Sequence, residues 1–505
     1  MKTIAIEQLR GRAQAFMEDV SREGYLTHAG RKHEAELQAI YAQYADILDG
    51  ETLQFCIEQF QNAEEGGEEQ RAARMMLDWQ IEGQLGQRLA ELEEREIELE
   101  NTAVVRLDDR EISYQEAPIT IVNTTDRRER NAIDAARARV AQQQFEPLAL
   151  EQLQREKEYV EGFEIAGSYN QTFELLSGVS LQILAEQCSA FLRDTQAMWD
   201  DVLRERLSSF GILPEEATRA DGVALLRLKE YDAAFPASAM ESSIRRHCDE
   251  IGIDASANGR IIFDLDDRAG KRSRAFCAPV QIPDEVYLVM RPHGGQTDYN
   301  TLLHELGHAL HFGYMREDYP FEYRWLGDNS VTEAYAMLFD HRMLSRGWLL
   351  RYTELGRNHV DKFLRMAAFE EFQFLRRYCA KLLYEIQVYD GTVPWQALPD
   401  VYVETLGQAM GLRYRREDAF IDLDPHYYST RYLRAWQLQA VIDESLTHRF
   451  DEDWWRNPAA GPWMVQQLFC EGQRESAHEI AARVGSSGTL SFTPLIKRVE
   501  TLLAT

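Results

Sequence analysis

The segment Asp298–Gly313 reads DYNTLLHELGHALHFG. Within it His304, Glu305 and His308 are residue types that together can hold a metal ion and activate water. Leu302, Leu303, Leu306, Ala309 and Leu310 supply an apolar stripe, so the spacing predicts a helix. Residues four apart on a helix share a face, which sets the imidazoles of His304 and His308 side by side. Two such nitrogens, at about 2.0–2.1 Å, are what a tetrahedral zinc ion accepts from one helix. Glu305 lies about 100° round the same helix. From there it cannot easily bind the metal, but it can reach a water held at it, the position of a general base.

A catalytic zinc keeps three protein ligands and one open position. The metzincin pattern, which needs Gly three residues after the second His and His six after, does not supply the third here, because His311 and Tyr314 stand at those places. A glutamate on a following helix does. VTEAYAMLFD offers Glu333, 25 positions beyond His308. The alternative reading is local, since Ser330–Glu333 also fits the S-x-x-E capping box that starts a helix. Asp340, seven residues further along, either orients an imidazole from behind or is a solvated acid at a helix end.

These residues need elements to position them. From Ile4 to about Leu99 apolar residues recur every three to four positions, as in Leu37, Ile40, Tyr44 and Ile47. This predicts amphipathic helices, with Gly66 and Gly67 in a connection. Residues 104–124 are β-branched, and Pro118 argues against a helix, so a short extended excursion is expected. The basic run Asp126–Arg130 reads as the solvated face of a further helix. Helical spacing resumes over about 148–207. Between Gly259 and Val289 the segments RIIFDL, RAFCAPVQI and EVYLVM predict a small sheet, at about 259–290, beside the metal helix. Pro292, Gly294 and Gly295 end it, and the metal helix should begin near Thr297 or Asp298. The rest reads mostly helical, with breaks near Gly391–Pro399, Pro425, Asn457–Pro462 and Gly485–Thr489. The expected organisation is a mainly α protein with an N-terminal helical lobe over 1–205 and a catalytic lobe over 206–505.

Composition narrows the function classes. The 505 residues carry 84 acidic and 55 basic side chains, a formal net charge of −29. That argues against a nucleic-acid partner, which needs a basic footprint. Six cysteines stand far apart with no CxxC pair, as expected of free thiols in a reducing compartment. The N-terminal sequence lacks the apolar core of a signal peptide, and no stretch approaches the ~18 apolar residues of a membrane span. The expectation is a cytoplasmic protein without membrane contact, in which the sequons at Asn123 and Asn170 are chance matches. Gly270–Lys271 lacks the flanking residues of a P-loop.

The pattern H-E-x-G-H-A-x-H, followed by Glu 25 residues after the second ligand, resembles the thimet-oligopeptidase and oligoendopeptidase-F family of zinc metallopeptidases. His304, Glu305, Gly307, His308, Ala309, His311 and Glu333 match it. Asp340 corresponds to the acidic residue of the oligoendopeptidase-F branch, and RAGKRSRAFC (Arg268–Cys277) is similar to the family's R-x-G-K strand region. The resemblance spans about residues 260–440. It implies a mostly helical, two-lobed fold around a channel admitting short peptides, one zinc per chain held by His304, His308 and Glu333, and a strand that pairs with the substrate backbone. It also implies a His and Tyr facing the scissile bond, for which DPHYYSTRYLRAW offers His426, Tyr427, Tyr428 and Tyr432. The spacing from His426 to Tyr432 is shorter than the thimet-oligopeptidase pattern. The Arg431–Tyr432 pair is similar to the angiotensin-converting-enzyme family.

The chemistry expected is hydrolysis of peptide bonds in short oligopeptides. Zinc makes hydroxide available near pH 7, Glu305 is the general base, and a Tyr or His donor meets the oxyanion. Two alternatives stand beside it. One is a metallocarboxypeptidase on the same fold, with Arg431 or Arg434 receiving the substrate's terminal carboxylate. The other is a non-catalytic peptide-binding protein, which the intact His304, Glu305, His308 and Glu333 set argues against. The G-x-M-E-N motif of one aminopeptidase class is absent.

Overall fold

A computed structural model describes residues 5–108, 110–485 and 489–504. The break expected at Gly485–Thr489 includes 486–488, which lie outside the described residues.

The chain opens on α1 (Ile6–His28), and after shorter helices reaches α2 (Glu68–Thr102), with Gly66 and Gly67 in the connection before it. Then β1 (Val104–Arg106) and β2 (Glu111–Ser113) pair antiparallel, Val105 opposite Ile112. This is the expected extended excursion, but it is shorter than 104–124. Residues 117–123 form a helix, α3 (Ala117–Asn123), with Pro118 in its first turn. Proline fits there because the N–H it lacks would have no helical partner anyway. Asp126 caps α4 (Arg127–Val140), its side chain accepting from the Glu129 N–H. The basic run is a solvated face only in part: Asp126, Arg128 and Glu129 are exposed, but Arg130 is buried and, with Arg127, pairs to Asp221 at 2.7 and 3.2 Å. Next come α5 (Glu146–Gly162), α6 (Tyr169–Ser177), α7 (Gln196–Ser209) and α8 (Ala237–Ile251).

The predicted sheet is present as β3 (Ile261–Asp264), β4 (Phe276–Gln281) and β5 (Glu285–Val289). The order is β3-β5-β4, with β3 parallel and β4 antiparallel to the central β5. Tyr25 of α1 and Ala29, just after it, pack on Ala278, Val280 and Val289, and Tyr25 stacks on Tyr287 with ring centroids 3.7 Å apart. The metal-motif helix α9 (Gln296–Gly313) lies against β4 and β5. It is followed by α10 (Asn329–Asp340), α11 (Val360–Asp390) and α12 (Tyr428–Phe450), with short helices between and after them.

The fold is mainly helical, with the β1–β2 pair and a three-stranded sheet beside α9. Its packing gives two compact units: Met1–Gln80 with Leu228–Ala368 and Arg431–Thr505, and Ile81–Arg227 with Phe369–Thr430. The first holds α1, the three-stranded sheet and α8–α10. The second is built round Val105, Tyr114, Ile133 and Phe145. The boundary expected at 205/206 falls inside α7, within the second unit, so the packing does not follow two consecutive stretches of chain. Among the described residues no single helix is long and apolar enough to cross a membrane. All six cysteines are free thiols.

Candidate metal centre

α9 and α10 cross closely because both are small where they meet. A Cβ on Gly307 would lie 2.6 Å from the Tyr335 carbonyl oxygen and 2.5 Å from the Ala336 Cα. No other residue permits that approach without moving a helix backbone. The crossing sets the two histidines of α9 opposite Glu333 of α10. His304 Nε2 and His308 Nε2 are 3.3 Å apart, and Glu333 Oε2 lies 3.5 and 3.9 Å from them. All three donor atoms fall within 4.8 Å of one another.

Each imidazole is fixed from behind. His304 Nδ1 is 2.8 Å from Asp340 Oδ2, and His308 Nδ1 is 2.8 Å from the Thr332 hydroxyl. A carboxylate can only accept, so Nδ1 of His304 carries a proton and its Nε2 points at the space shared with His308 and Glu333. Three ligands at 2.0–2.1 Å around a tetrahedral ion sit roughly 3.3–3.4 Å apart. The observed spacings match this for the histidine pair and lie slightly above it for the carboxylate. The donor set therefore fits a small divalent ion such as zinc.

Electrostatics tell the same story. Burial opposes charge on His304, but the carboxylates of Asp340 and Glu333 outweigh it and hold its pKa well above the ordinary imidazole range. For His308 burial wins and the pKa is lowered. Burial likewise opposes ionisation of Glu333, yet its bond to His304 keeps its pKa below normal.

The helix carrying Glu333 starts at Asp328, not at Ser330. Asp328 is the N-cap, and its side chain accepts from the Ser330 N–H at 3.0 Å. The capping-box reading of Ser330–Glu333 is thereby set aside, and the Glu333 carboxylate is left to face the histidines. Arg434, a sequence candidate for receiving a substrate carboxylate, is committed here instead. It is buried, holds Asp328 at 2.9 and 2.7 Å and reaches the Ser330 hydroxyl at 3.0 Å. Burial works against the Asp328 charge, but Arg434 holds its pKa down at about 2. Arg434 anchors α10.

Glu305 is half-buried and off the ligand face. It lies near enough to β4 that, after burial, its charge helps push the Cys277 thiol well up. His311, three residues beyond His308, turns away from the centre. It is fully buried and donates Nε2–H to the Gly472 carbonyl at 3.1 Å. Thr332 was missed in the sequence. Its only signal was adjacency to Glu333, and helical spacing does not say which imidazole a hydroxyl will meet.

The remaining candidates divide. Tyr432, on α12 in the same unit as the ligands, is half-buried with its ring 6.3 Å from Trp436. His426, Tyr427 and Tyr428 belong to the second unit. Both His426 and Tyr427 have left-handed backbones, φ 54° and 52°. For non-glycine residues this costs about 1–3 kcal/mol each. The turn sends Tyr427 inward, where it is fully buried, bonds the Asn170 side chain at 2.7 Å and packs on Phe173 and Tyr389. Tyr427 is therefore a core residue and not an oxyanion donor. Tyr428 and His426 remain half-exposed.

Two buried histidines make the fold acid-sensitive. Burial, with Arg342 adding to it, takes His247 of α8 down to about 3, and burial takes His311 to about the same value. Both stay neutral when folded, whereas in the unfolded chain they gain protons near pH 6.5. Their stability is present above that value and is lost as pH falls toward 3. By pH 5 each should cost about 2 kcal/mol. Denaturant unfolding of the metal-free protein at pH 7.5 and 5 checks this. His247→Leu should lose about 2 kcal/mol less than the parent over that interval, and an equal loss would contradict the assignment.

No protein-family model matches the chain, and no curated protein matches it. Solved structures do. It is similar to the M32 carboxypeptidase of Deinococcus radiodurans R1, at 12% identity, 99% coverage of each chain and a TM-score of 0.63. A Pyrococcus furiosus carboxypeptidase matches at 12% identity, again 99% of each chain, with a TM-score of 0.64. The chain shares the fold of these carboxypeptidases. The motif read in α9 and α10 resembles the oligopeptidases, whereas the fold is that of the two carboxypeptidase structures.

Proposed function

We propose that the chain is a zinc-dependent peptidase that cleaves short peptides internally, holding one zinc through His304, His308 and Glu333 and working in the cytoplasm. The convergence of His304 Nε2, His308 Nε2 and Glu333 Oε2 beside Glu305 carries this reading. Zinc, when bound, supplies the Lewis acidity that makes hydroxide available near neutral pH and polarises a peptide carbonyl. Glu305 takes the proton of the attacking water and returns it to the departing amine nitrogen. Asp340 and Thr332 keep the two imidazoles turned with Nε2 inward. Strand β4 pairs only with β5 among the described strands. An extended peptide adding to its other edge would gain backbone hydrogen bonds that do not depend on side-chain sequence. His426, Tyr428 and Tyr432 are the donors proposed for the oxyanion.

Removal of C-terminal residues is the second reading, favoured by the carboxypeptidases that share the fold. It needs a cation for the terminal carboxylate. Arg434 already serves Asp328, which leaves Arg431 as the residue from the sequence analysis to fill that role. Digestion of one peptide with a free and with an amidated C-terminus separates the two. Internal cleavage should proceed at similar kcat/KM on both, with product masses mapping inside the chain. Loss of activity on the amide, with single residues released from the free acid, would overturn the endopeptidase reading.

A further inference from the structure

The second unit contains a buried carboxylate that the mechanism above does not use. Glu156, on α5, is almost wholly buried. Its Oε1 accepts from the Tyr169 hydroxyl, in a short contact, and from the Tyr389 hydroxyl at 3.3 Å, and it lies at ion-pair distance, 3.3 Å, from His426 Nδ1. The Tyr169 hydroxyl also lies 3.4 Å from His426 Nδ1. The two phenol rings stack with centroids 4.1 Å apart and planes within 4°, so the carboxylate sits on a rigid aromatic floor. Burial, with the charge of Glu156 adding to it, pushes both phenols well above their ordinary range, which keeps them donors. Glu93 of α2 is a further acid within electrostatic reach of His426.

His426 itself is half-exposed and held on a left-handed backbone. Such a conformation persists only where its surroundings over-determine it. On the far side of the turn, Glu385 accepts from the Ser429 hydroxyl and from the Asp424 N–H at 3.2 Å, and Lys381 holds Asp424 at 2.6 Å. The turn thus lies against two buried acids, and of the two it is Glu156, with the Tyr169 hydroxyl beside it, that meets the imidazole.

We infer that Glu156 is a positioning residue for His426, keeping a proton on Nδ1 so that Nε2 is the ring atom presented for chemistry. With a second proton Nε2 donates to developing negative charge, and without one it accepts. Tyr169 and Tyr389 hold the carboxylate in place. The inference rests on the reading that His426 takes part in peptide hydrolysis, and its test reports on the ring separately from turnover.

The test is ¹⁵N NMR of the zinc-loaded protein labelled at its 12 histidines, with the His426 signals assigned by their loss in His426→Asn. In its neutral form, the wild-type His426 ring should show Nδ1 protonated and Nε2 bare. Glu156→Gln should shift it toward the Nε2–H tautomer, while Tyr169→Phe should leave Nδ1 protonated. Turnover should fall in Glu156→Gln by about 10- to 100-fold in kcat with KM little changed. That is less than the ~10⁴-fold lost when the carboxylate behind a general-base histidine is neutralised. A wild-type ring protonated on Nε2 alone would overturn the inference, whether or not any variant folds. So would an unchanged tautomer in Glu156→Gln, or a flip caused by Tyr169→Phe alone. A shifted tautomer with undiminished kcat would uphold the positioning by Glu156 and remove His426 from the reaction.

Discussion

Glu305→Gln is expected to fold, to keep its zinc, and to lose peptide turnover by about 10²–10⁴-fold. The argument is geometric. His304 and His308 occupy one face of α9, with His308 Nε2 only 3.3 Å from His304 Nε2. Glu305, adjacent in sequence, is rotated off that face toward β4, where Cys277 feels its charge. Glutamine fills the same volume and removes only the basic oxygen, so neither the helix nor the ligand set is disturbed. The loss should appear in kcat, with KM nearly constant, because the proton moves only in the transition state. Near-normal turnover with full zinc would mean that another group is the base.

Glu333→Ala should have the second large effect, removing most of the bound zinc. Two imidazoles remain, but a tetrahedral site has then lost a third of its protein ligands and the charge that offsets the cation. The metal-free state is also favoured in another way: Asp340 still pairs with His304 at 2.8 Å and supports a proton on it. Metal and proton compete for that imidazole. Zinc content measured after dialysis should fall from about one per chain to a small fraction, with helicity unchanged. Full occupancy in this variant would return Glu333 to the status of an ordinary residue in a helix start.

Parts of this arrangement were legible in the sequence for definite reasons. α9 and α10 could be read because an apolar stripe at helical spacing fixes which residues share a face, and that alone pairs His304 with His308. The sheet was legible because β-branched segments were separated by turn residues. What escaped depends on contacts between distant residues. The cap of α10 fell to Asp328 because Arg434, 106 positions away, comes to meet it. Pro118 looked like a helix breaker, and only its place in the first turn makes it a helix starter. Arg130 looked solvated because its partner Asp221 is remote in sequence. Tyr427 could not be separated from Tyr428, since the left-handed turn at His426 and Tyr427 is not marked by glycine. The acids that meet it, Glu156 and Glu385, lie on other helices. The two units interleave along the chain, and local spacing carries no record of that.

The central claim is that His304, His308 and Glu333 hold one zinc. Anomalous scattering from crystals of the zinc-loaded protein, recorded on both sides of the zinc absorption edge, tests it most directly. The account predicts one strong edge-dependent peak per chain, about 2 Å from His304 Nε2, His308 Nε2 and a Glu333 carboxylate oxygen. A fully loaded crystal with its peak elsewhere, or with no zinc near these three atoms, would contradict it.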